Sequence, residues 1–291
     1  MRIAIALGTI VLLGASVAYA DRPVDQTAKV NKDGTVSVSN IAGSVTVVGG
    51  NRSDVHITGR LDDNVEELRV EERDGDLRIE VILPRRSHRG GDADLKLEVP
   101  KGVALDIETV SANIEVEGVA GDVDLESVSG GVRVEGGDGV ADVQSVSGDI
   151  ELTGAFENVD AESVSGGIDV KGASGRIDAS TTSGRIEVAG GDFDSVDLES
   201  MSGRVEFAGD PRKDADISIE SFSGRVVLTL PASLSAEIDV ETHSGSIESD
   251  FGSGVRKEKY GAGAWLETSV GGGEASIEVS TFSGSVSLRK K

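Results

Sequence analysis

The chain has 291 residues, no cysteine, and 52 acidic against 28 basic side chains, which gives a formal net charge of −24. An acidic excess of this size repels nucleic-acid phosphates and anionic membrane surfaces, so we expect no nucleic-acid partner. The absence of cysteine excludes disulfides and a cysteine-linked lipid anchor. Aromatic residues make up only 3% of the chain, which leaves valine, isoleucine and leucine to form the core.

Residues 1–20 have the pattern of a secretory signal peptide. Arg2 supplies a positive start, an apolar run extends from Ile3 to Val17, and Ala18-Tyr19-Ala20 has the small-residue pattern of a cleavage site. The run is short for a membrane span, and the cleavage pattern favours its removal. We therefore expect an exported mature chain that is periplasmic, at the cell surface or extracellular, with no membrane span after cleavage.

A Ser-Gly pair recurs through the second half of the chain at a nearly constant interval. The first five marks are 18 residues apart, and the later intervals are 19, 21, 21 and 39 residues. The serines are Ser111 (followed by alanine), Ser129, Ser147, Ser165, Ser183, Ser202, Ser223, Ser244 and Ser283. Such regularity indicates a solenoid, in which each unit buries its apolar side against its neighbours.

Each repeat contains two short runs in which apolar and polar residues alternate. Val123-Asp-Leu-Glu-Ser127 precedes the Ser-Gly mark and Val132-Arg-Val134 follows it. The pattern predicts two short strands per coil of about 18–21 residues, each strand pairing with its equivalent in the next coil about 4.8 Å away. We expect the glycine of each Ser-Gly to turn the corner with a positive φ, and a second glycine, such as Gly118 or Gly136, to mark the opposite corner.

Residues 21–100 show the same alternation of apolar and polar residues, but at less regular intervals. Leu68–Val70 and Leu77–Val81 flank Asp74-Gly75, a strong hairpin signal. We expect an irregular N-terminal β segment with the first coils in 21–100, and regular repeats over 101–291 with an insertion at 251–273. The predicted fold class is all-β, a single-chain β-solenoid (β-helix) with an irregular N-terminal β cap.

The repeated Ser-x-Ser-Gly-x-Ile/Val-x-Val, the Asp-Gly hairpin and the Leu-x-Leu-x-Val-Pro sequence at 95–100 resemble the bacterial "putative adhesin" family of β-strand-repeat domains. The resemblance covers roughly residues 30–290. It implies a single-chain β-solenoid in an exported or envelope protein. The family's function is largely unestablished, and it has no defined catalytic residues that could be carried over to this chain.

Acidic side chains recur at outward positions of the repeat. One column consists of Asp106, Asp124, Asp142, Asp160, Asp178 and Asp197. Stacking in register places like charges about 5 Å apart, at a cost of roughly 1 kcal/mol per pair in water. Two interpretations stay open: a solvated acidic face that keeps the protein soluble, and weak, repeated Ca²⁺ or Mg²⁺ binding between stacked carboxylates. No other cofactor is indicated.

A column of inward hydroxyls precedes the Ser-Gly marks. Its members are Thr109, Ser127, Ser145, Ser163, Thr181, Ser200, Ser221, Thr242 and Thr281. No histidine or lysine lies beside them in any repeat, and a serine without a base is inert as a nucleophile. We therefore interpret the column as structural, with hydroxyls that bond to one another or to the corner backbone.

The insertion at 251–273 concentrates basic and aromatic side chains between glycine-rich stretches. These are Arg256, Lys257, Lys259, Tyr260 and Trp265, the only tryptophan. Such residues on a loop can bind a glycan or a protein partner. The alternative is a cap over the last coil.

These features together favour a non-enzymatic exported envelope or surface protein, an adhesin-like module that binds a glycan or an envelope or surface protein through a repetitive solenoid face. One alternative is a polysaccharide-active β-helix enzyme, since such enzymes use clustered carboxylates. A purely structural spacer is the other. The oligomeric state is left open.

Overall fold

A computed structural model describes residues 22–84, 91–252, 254–257 and 263–291. The predicted signal peptide lies outside the described residues, as do Lys259 and Tyr260. Every regular element within these ranges is a β-strand, which confirms the all-β class. In the part of the chain that is described, no helix is long and apolar enough to cross a membrane.

The strands are numbered in chain order. The first seven are β1 Arg22–Lys29, β2 Thr35–Asn40, β3 Gly43–Gly50, β4 Asp54–Leu61, β5 Glu67–Arg73, β6 Asp76–Ile82 and β7 Ala93–Pro100. The repeats supply β8 Ala104–Thr109, β9 Asn113–Glu117, β10 Val123–Ser127, β11 Val132–Glu135, β12 Val140–Ser145, β13 Ile150–Thr153, β14 Asn158–Ser163, β15 Ile168–Lys171 and β16 Gly175–Thr181. The remainder are β17 Ile186–Leu230, β18 Ala236–Ser249, β19 Arg256–Lys257, β20 Ala264–Val270 and β21 Ala275–Lys290.

The regular coils stack in parallel and in register. Val123 of β10 pairs with Leu105 of β8 on one side and with Ala141 of β12 on the other, an offset of one 18-residue repeat in each direction. We call the sheet built from strands before the Ser-Gly corner the front face, and the sheet after it the back face. The 19-residue interval is absorbed by a bulge at Gly175 and Arg176, where the pairing shifts by one residue.

The core is a set of stacked aliphatic columns, as the alternation predicts. Leu125, Val143 and Ile177 are completely or almost completely buried, because every second side chain of each strand points between the two faces. Three phenylalanines, Phe156, Phe193 and Phe207, are also fully buried. Phe193 and Phe207 pack with ring centroids 5.4 Å apart.

The prediction that the Ser-Gly glycines adopt positive φ is wrong. None of the glycines of these pairs is among the residues with positive φ. They are needed because the coils approach too closely for a side chain. A Cβ on Gly148 would lie 1.9 Å from the carbonyl oxygen of Gly130, and one on Gly166 would lie 1.9 Å from that of Gly148.

The opposite corner divides into two kinds of glycine. Gly118 and Gly136 have φ of 66° and 75° and turn the chain as expected. Gly154 and Gly209 do not have positive φ. A Cβ on Gly209 would meet the buried ring of Phe193 at 2.4 Å, so the phenylalanines fill the space that these glycines leave.

The expected pairing with the next coil in sequence is wrong at the C-terminal end. The last strand, β21, pairs in parallel with both β17 and β18, so that Ser283 lies between Ser223 and Ser244. The final coil is therefore inserted between the two coils that precede it. The repeat pattern cannot show this order, because each coil presents the same apolar columns to either neighbour.

The N-terminal end has a similar arrangement. The front strand β2 lies between β6 and β8, and the back strand β3 lies between β7 and β9. Antiparallel strands complete this end: β5 pairs with β6, β4 pairs with β7, and β1 pairs with β4. The predicted hairpin at Asp74-Gly75 is confirmed, with φ of 55° and 99°.

Candidate functional site: a groove along the front face

The six aspartates of the predicted column lie in register on the front face, and we call them the Asp row. Burial, followed by the charges of neighbouring aspartates, raises the pKa of Asp124 and Asp160. The same causes act on Asp197, whose pKa is raised by burial and by Asp178 and Glu220. The row therefore carries the electrostatic repulsion that the sequence predicts.

The Asp row supplies one carboxylate per coil rather than a cage of ligands. Among the described residues, no group of three or more acidic or imidazole side chains converges so that it could hold a metal ion. Weak, repeated cation binding along the row stays a prediction.

A second row runs beside the Asp row, two residues further along each strand. We call it the Glu row. It passes through Glu108, Glu126, Gln144, Glu162, Ser180 and Glu199, and continues from Glu220 through Ser280 to Glu241. Glu199 and Glu220 line the same depression, so the two parts of the row are neighbours, and burial and the charges of Asp197 and Glu220 raise the pKa of Glu199.

The insertion extends the front face by two strands. β20 pairs antiparallel with β18, and β19 pairs antiparallel with β20. Trp265 consequently lies opposite Glu241 on one side and Arg256 on the other, at the end of the Glu row. Trp265 is 36% exposed. The segment therefore covers the edge of β18 at the end of the stack. It also presents Trp265, Arg256 and Lys257 to solvent, so it can serve both predicted roles.

An exposed apolar stripe runs parallel to the Glu row, and sequence reasoning missed it. It is formed by the residue that follows each inward hydroxyl, and we call it the corner ridge. In stacking order its members are Ile41, Val110, Val128, Val146, Val164, Thr182, Met201, Phe222, Phe282 and His243. The apolar members are between 37% (Ile41) and 60% (Met201) exposed.

The strand period explains why the corner ridge faces outward. Glu126 and Val128 flank the buried Ser127, so both point away from the core. Backbone bonds hold the ridge in register: the Val128 N–H donates to the Thr109 carbonyl at 3.2 Å, and the Val146 N–H donates to the Ser127 carbonyl at 3.1 Å. In the sequence, the sign of this stripe is an apolar residue that recurs at a position where the strand alternation predicts an outward-facing side chain.

The C-terminal end of the corner ridge is aromatic. The rings of Phe222 and Phe282 stack with centroids 4.9 Å apart and an interplanar angle of 4°. His243 stacks on Phe282 at 4.8 Å and 14°. This three-ring stack exists because β21 lies between β17 and β18, which places Phe282 between the other two rings.

The inward hydroxyls form the floor between the Glu row and the corner ridge. Their expected bonds to one another or to the corner backbone are present from Thr109 to Thr181 and at Thr242. Ser200, Ser221 and Thr281, in contrast, are buried without a hydrogen-bond partner among the described residues. The Ser127 hydroxyl donates to the Gly130 carbonyl at 2.9 Å and accepts from the Gly130 N–H at 3.0 Å. Ser145 accepts from the Gly148 N–H at 2.9 Å. Thr109 donates toward Ser127 at 3.2 Å. These bonds fasten the corner to the strand before it.

Together the Glu row, the hydroxyl floor and the corner ridge enclose a shallow trough, which we call the front groove. It widens into two open depressions, one of about 520 Å³ between Ile41 and Val164, and one of about 470 Å³ between Glu199 and Phe282. The groove therefore follows the solenoid axis over most of the stack.

The back face has a different charge arrangement, because several of its carboxylates contact arginine side chains. Arg133 contacts Glu151 at 2.6 Å, and Arg204 contacts Glu206 at 2.9 Å. Arg185 lies 3.7 Å from Asp169 and 3.3 Å from Glu187. Arg185 and Arg204, which directly follow Ser-Gly marks, thus neutralise neighbouring carboxylates, and each such exposed pair adds little stability.

Comparison with known proteins connects this solenoid to a family. The family model described as Toastrack DUF4097 matches residues 16–177 and again residues 157–289. A search of the curated proteins finds no match. Among solved structures, a "putative adhesin" from Bacteroides fragilis has 13% identity and a TM-score of 0.41 over 93% of this chain and 98% of that chain.

Two further solved structures are similar over nearly the whole chain. A "putative adhesin" from Parabacteroides merdae has 12% identity and a TM-score of 0.37, covering 92% of this chain and 96% of that one. A "putative cell adhesion protein" from Clostridium sporogenes has 11% identity and a TM-score of 0.23, covering 94% and 100%. The family model, which spans almost all of the described residues, confirms the resemblance drawn from the Ser-Gly repeat: the chain belongs to the Toastrack DUF4097 family.

Proposed function

We propose that the chain is an exported, non-enzymatic binding module that holds a component of the envelope or cell surface along the front groove. The corner ridge is the observation that carries this proposal. Valine, methionine and phenylalanine side chains, such as Val128, Met201 and Phe222, are 45%, 60% and 57% exposed in one stripe that only Thr182 interrupts before Phe282. Contiguous apolar surface on a soluble protein is a mark of an interaction site.

The shape of the groove favours binding over catalysis. Enzyme sites are concave and gather a few unlike polar groups at one place, whereas the front groove repeats the same groups in successive coils. The hydroxyl floor bonds to corner backbone, and a polysaccharide-cleaving enzyme would need a pair of carboxylates set apart from the repeat. A pure spacer, the other alternative, has no need of an exposed apolar stripe.

Export is part of the proposal and rests on the sequence of residues 1–20. An arginine, an apolar run and an Ala-x-Ala ending are together typical of a cleaved signal. Sequencing the N-terminus of the protein recovered from the periplasm, envelope and culture medium tests this part directly. A mature N-terminus near Asp21 in one of these fractions is expected, and an uncleaved cytoplasmic chain would refute it.

The binding function is tested with purified mature protein and isolated envelopes or intact cells. We expect saturable binding that is reduced about tenfold or more by Val128→Ser with Val146→Ser, because the ridge supplies the apolar contact. Val140→Ser is the matched control, since Val140 is a 40% exposed valine outside the ridge. Its binding should equal that of the wild type.

The same preparations separate the alternatives. Absence of saturable binding to cells, envelopes and a glycan array would favour the spacer. Turnover of an acidic polysaccharide would establish an enzyme. A glycan on the array that binds the wild type but not the Trp265→Ala variant would be one whose binding requires the end of the Glu row.

A further inference from the structure

On the front face Arg176 lies 3.9 Å from Asp178 of the Asp row, but the carboxylates of the Glu row lack the arginine contacts that the back face has. Glu126, Glu162 and Glu220 are exposed, and among the described residues none of them forms an ion pair, whereas Glu151, Glu187 and Glu206 on the back face each contact an arginine. The Glu row therefore presents a line of unneutralised negative charge. Its natural complement is a line of cationic groups supplied from outside.

The apolar corner ridge lies alongside this negative line at a fixed separation. Glu126 lies in β10 and Val128 directly follows that strand, and this two-residue spacing places their side chains about 7 Å apart on the same surface. This relationship repeats coil after coil toward Glu220 and Phe222. A ligand that follows the groove must therefore carry an apolar edge and a cationic edge side by side.

Three other occupants fit less well. A second copy of this chain would bring another acidic row against the first, and an anionic membrane surface would be repelled. A sugar ring stacks on an open aromatic face, but Phe282 is covered on one face by Phe222 and on the other by His243. The aromatic end of the ridge thus presents ring edges rather than faces.

Resting on the proposed binding function, we propose that the partner is a basic amphipathic segment of another polypeptide, which lies along the front groove. Its apolar side chains pack on the corner ridge, and its lysine or arginine side chains pair with the Glu row. Lysine and arginine suit this position because their methylene stems can lie on the ridge while the charged ends reach the carboxylates.

Synthetic peptides of about twelve residues, which extend over roughly 40 Å, are suitable probes. Two combine leucine and lysine, one in strand alternation and one in helical spacing, and a third replaces every leucine with serine at the same charge. We expect at least one leucine–lysine peptide to bind the mature protein saturably in titration calorimetry at physiological salt. We expect the serine–lysine peptide to bind at least about tenfold more weakly.

Variants locate the binding. Phe222→Ser with Phe282→Ser, and separately Glu199→Gln with Glu220→Gln, should each weaken peptide binding about tenfold. Glu115→Gln with Glu117→Gln removes the same charge from exposed positions of the back face and should leave the affinity within about twofold. Circular dichroism and the melting midpoint of every variant confirm that the fold is retained.

Several results would overturn the inference. Equal affinity for the serine–lysine peptide, or an equal loss in the back-face variant, would mean non-specific ion exchange. Failure of both leucine–lysine peptides, with ridge-dependent envelope binding intact, would refute the basic segment and leave the binding function standing. A glycan that binds and is lost with Trp265→Ala would assign the groove to a sugar instead. If neither envelopes nor peptides bind, both proposals fail.

Discussion

At the scale of single residues, the Ser-Gly corner is determined by contact between coils. Gly148, Gly166 and Gly184 stack so that the α-carbon of each faces the carbonyl oxygen of the corner glycine in the coil before it. The structural role of the hydroxyl column could be predicted from the sequence, because the alternation places these residues inward and places no histidine or lysine inward beside them. The reason for the glycines could not, because a repeat pattern contains no distance between successive coils.

Gly148→Ala tests this explanation. The new Cβ would lie 1.9 Å from the Gly130 carbonyl oxygen, so two coils would have to separate, and we expect the free energy of unfolding to fall by about 3 kcal/mol. Gly131→Ala is the control, because its Cβ meets nothing closer than 3.7 Å and the residue has no positive φ. Urea unfolding measures both. Equal effects would point to backbone conformation rather than contact.

The hydroxyl floor differs along its length. Ser127 bonds to both backbone groups of Gly130, whereas the Ser200 hydroxyl oxygen is buried without a partner among the described residues. We expect Ser127→Ala to lower the free energy of unfolding by about 1 kcal/mol or more, because the Gly130 N–H loses its acceptor. Ser200→Ala should have almost no effect. A Ser200→Ala cost as large as that of Ser127→Ala would show that Ser200 has a bond of its own.

At the scale of elements, the Asp row determines the direction in which the free energy of unfolding changes with pH. The folded-state pKa of Asp124 and Asp160 is raised above the ordinary value of 3.8, so the folded chain holds more protons than the unfolded chain just above that pH. The free energy of unfolding therefore falls as the pH rises through the folded-state pKa values, and the row is most costly when it is fully ionised.

Asp160→Asn should consequently stabilise the protein at neutral pH. Removing one charge relieves two neighbour repulsions, each about 0.2–1 kcal/mol, and the gain should disappear as the pH falls below 3.8, the ordinary value. Asp138→Asn, at an exposed position before β12, is the control. Denaturant titrations at neutral and acidic pH measure the difference. A gain that persists unchanged in acid would contradict the electrostatic origin.

Divalent cations test the second interpretation of the same row. We expect millimolar CaCl₂ to raise the melting midpoint more than NaCl of equal ionic strength, because Ca²⁺ can bridge carboxylates of adjacent coils. The excess should shrink in a chain carrying Asp124→Asn, Asp142→Asn and Asp160→Asn. No shift beyond that produced by NaCl would leave the row as a solvated acidic face.

The corner ridge shows what the periodic pattern alone could not reveal at this scale. The alternation of each repeat predicts inward apolar and outward polar residues, and it gives no reason for the apolar side chains of Val128 and Phe222 at an outward position. Parity predicted their orientation correctly, but the exposed fraction of a side chain at a corner depends on the path of the turn. The structure shows that the corner leaves these side chains uncovered.

At the scale of the whole molecule, the sequence predicts the solenoid but not the order of its coils. The absence of native cysteine allows a direct test with engineered pairs. Ser223→Cys with Ser283→Cys joins register partners in adjacent strands and should form a disulfide on mild oxidation. Ser223→Cys with Ser244→Cys places the thiols on opposite sides of β21, roughly 10 Å apart, and should stay reduced. The reverse result would restore the sequential stack.

The position of β21 also has a consequence for how the molecule is completed. Its 16 residues follow β17 and β18 in the chain, yet they occupy the layer between these two strands. A nascent or proteolysed chain that ends before residue 275 lacks the parallel neighbour that both β17 and β18 pair with in the finished protein. Such a fragment retains unpaired strand edges on β17 and β18, where proteases and aggregation act. The presence of β21 thus decides whether β17 and β18 are joined in one continuous sheet.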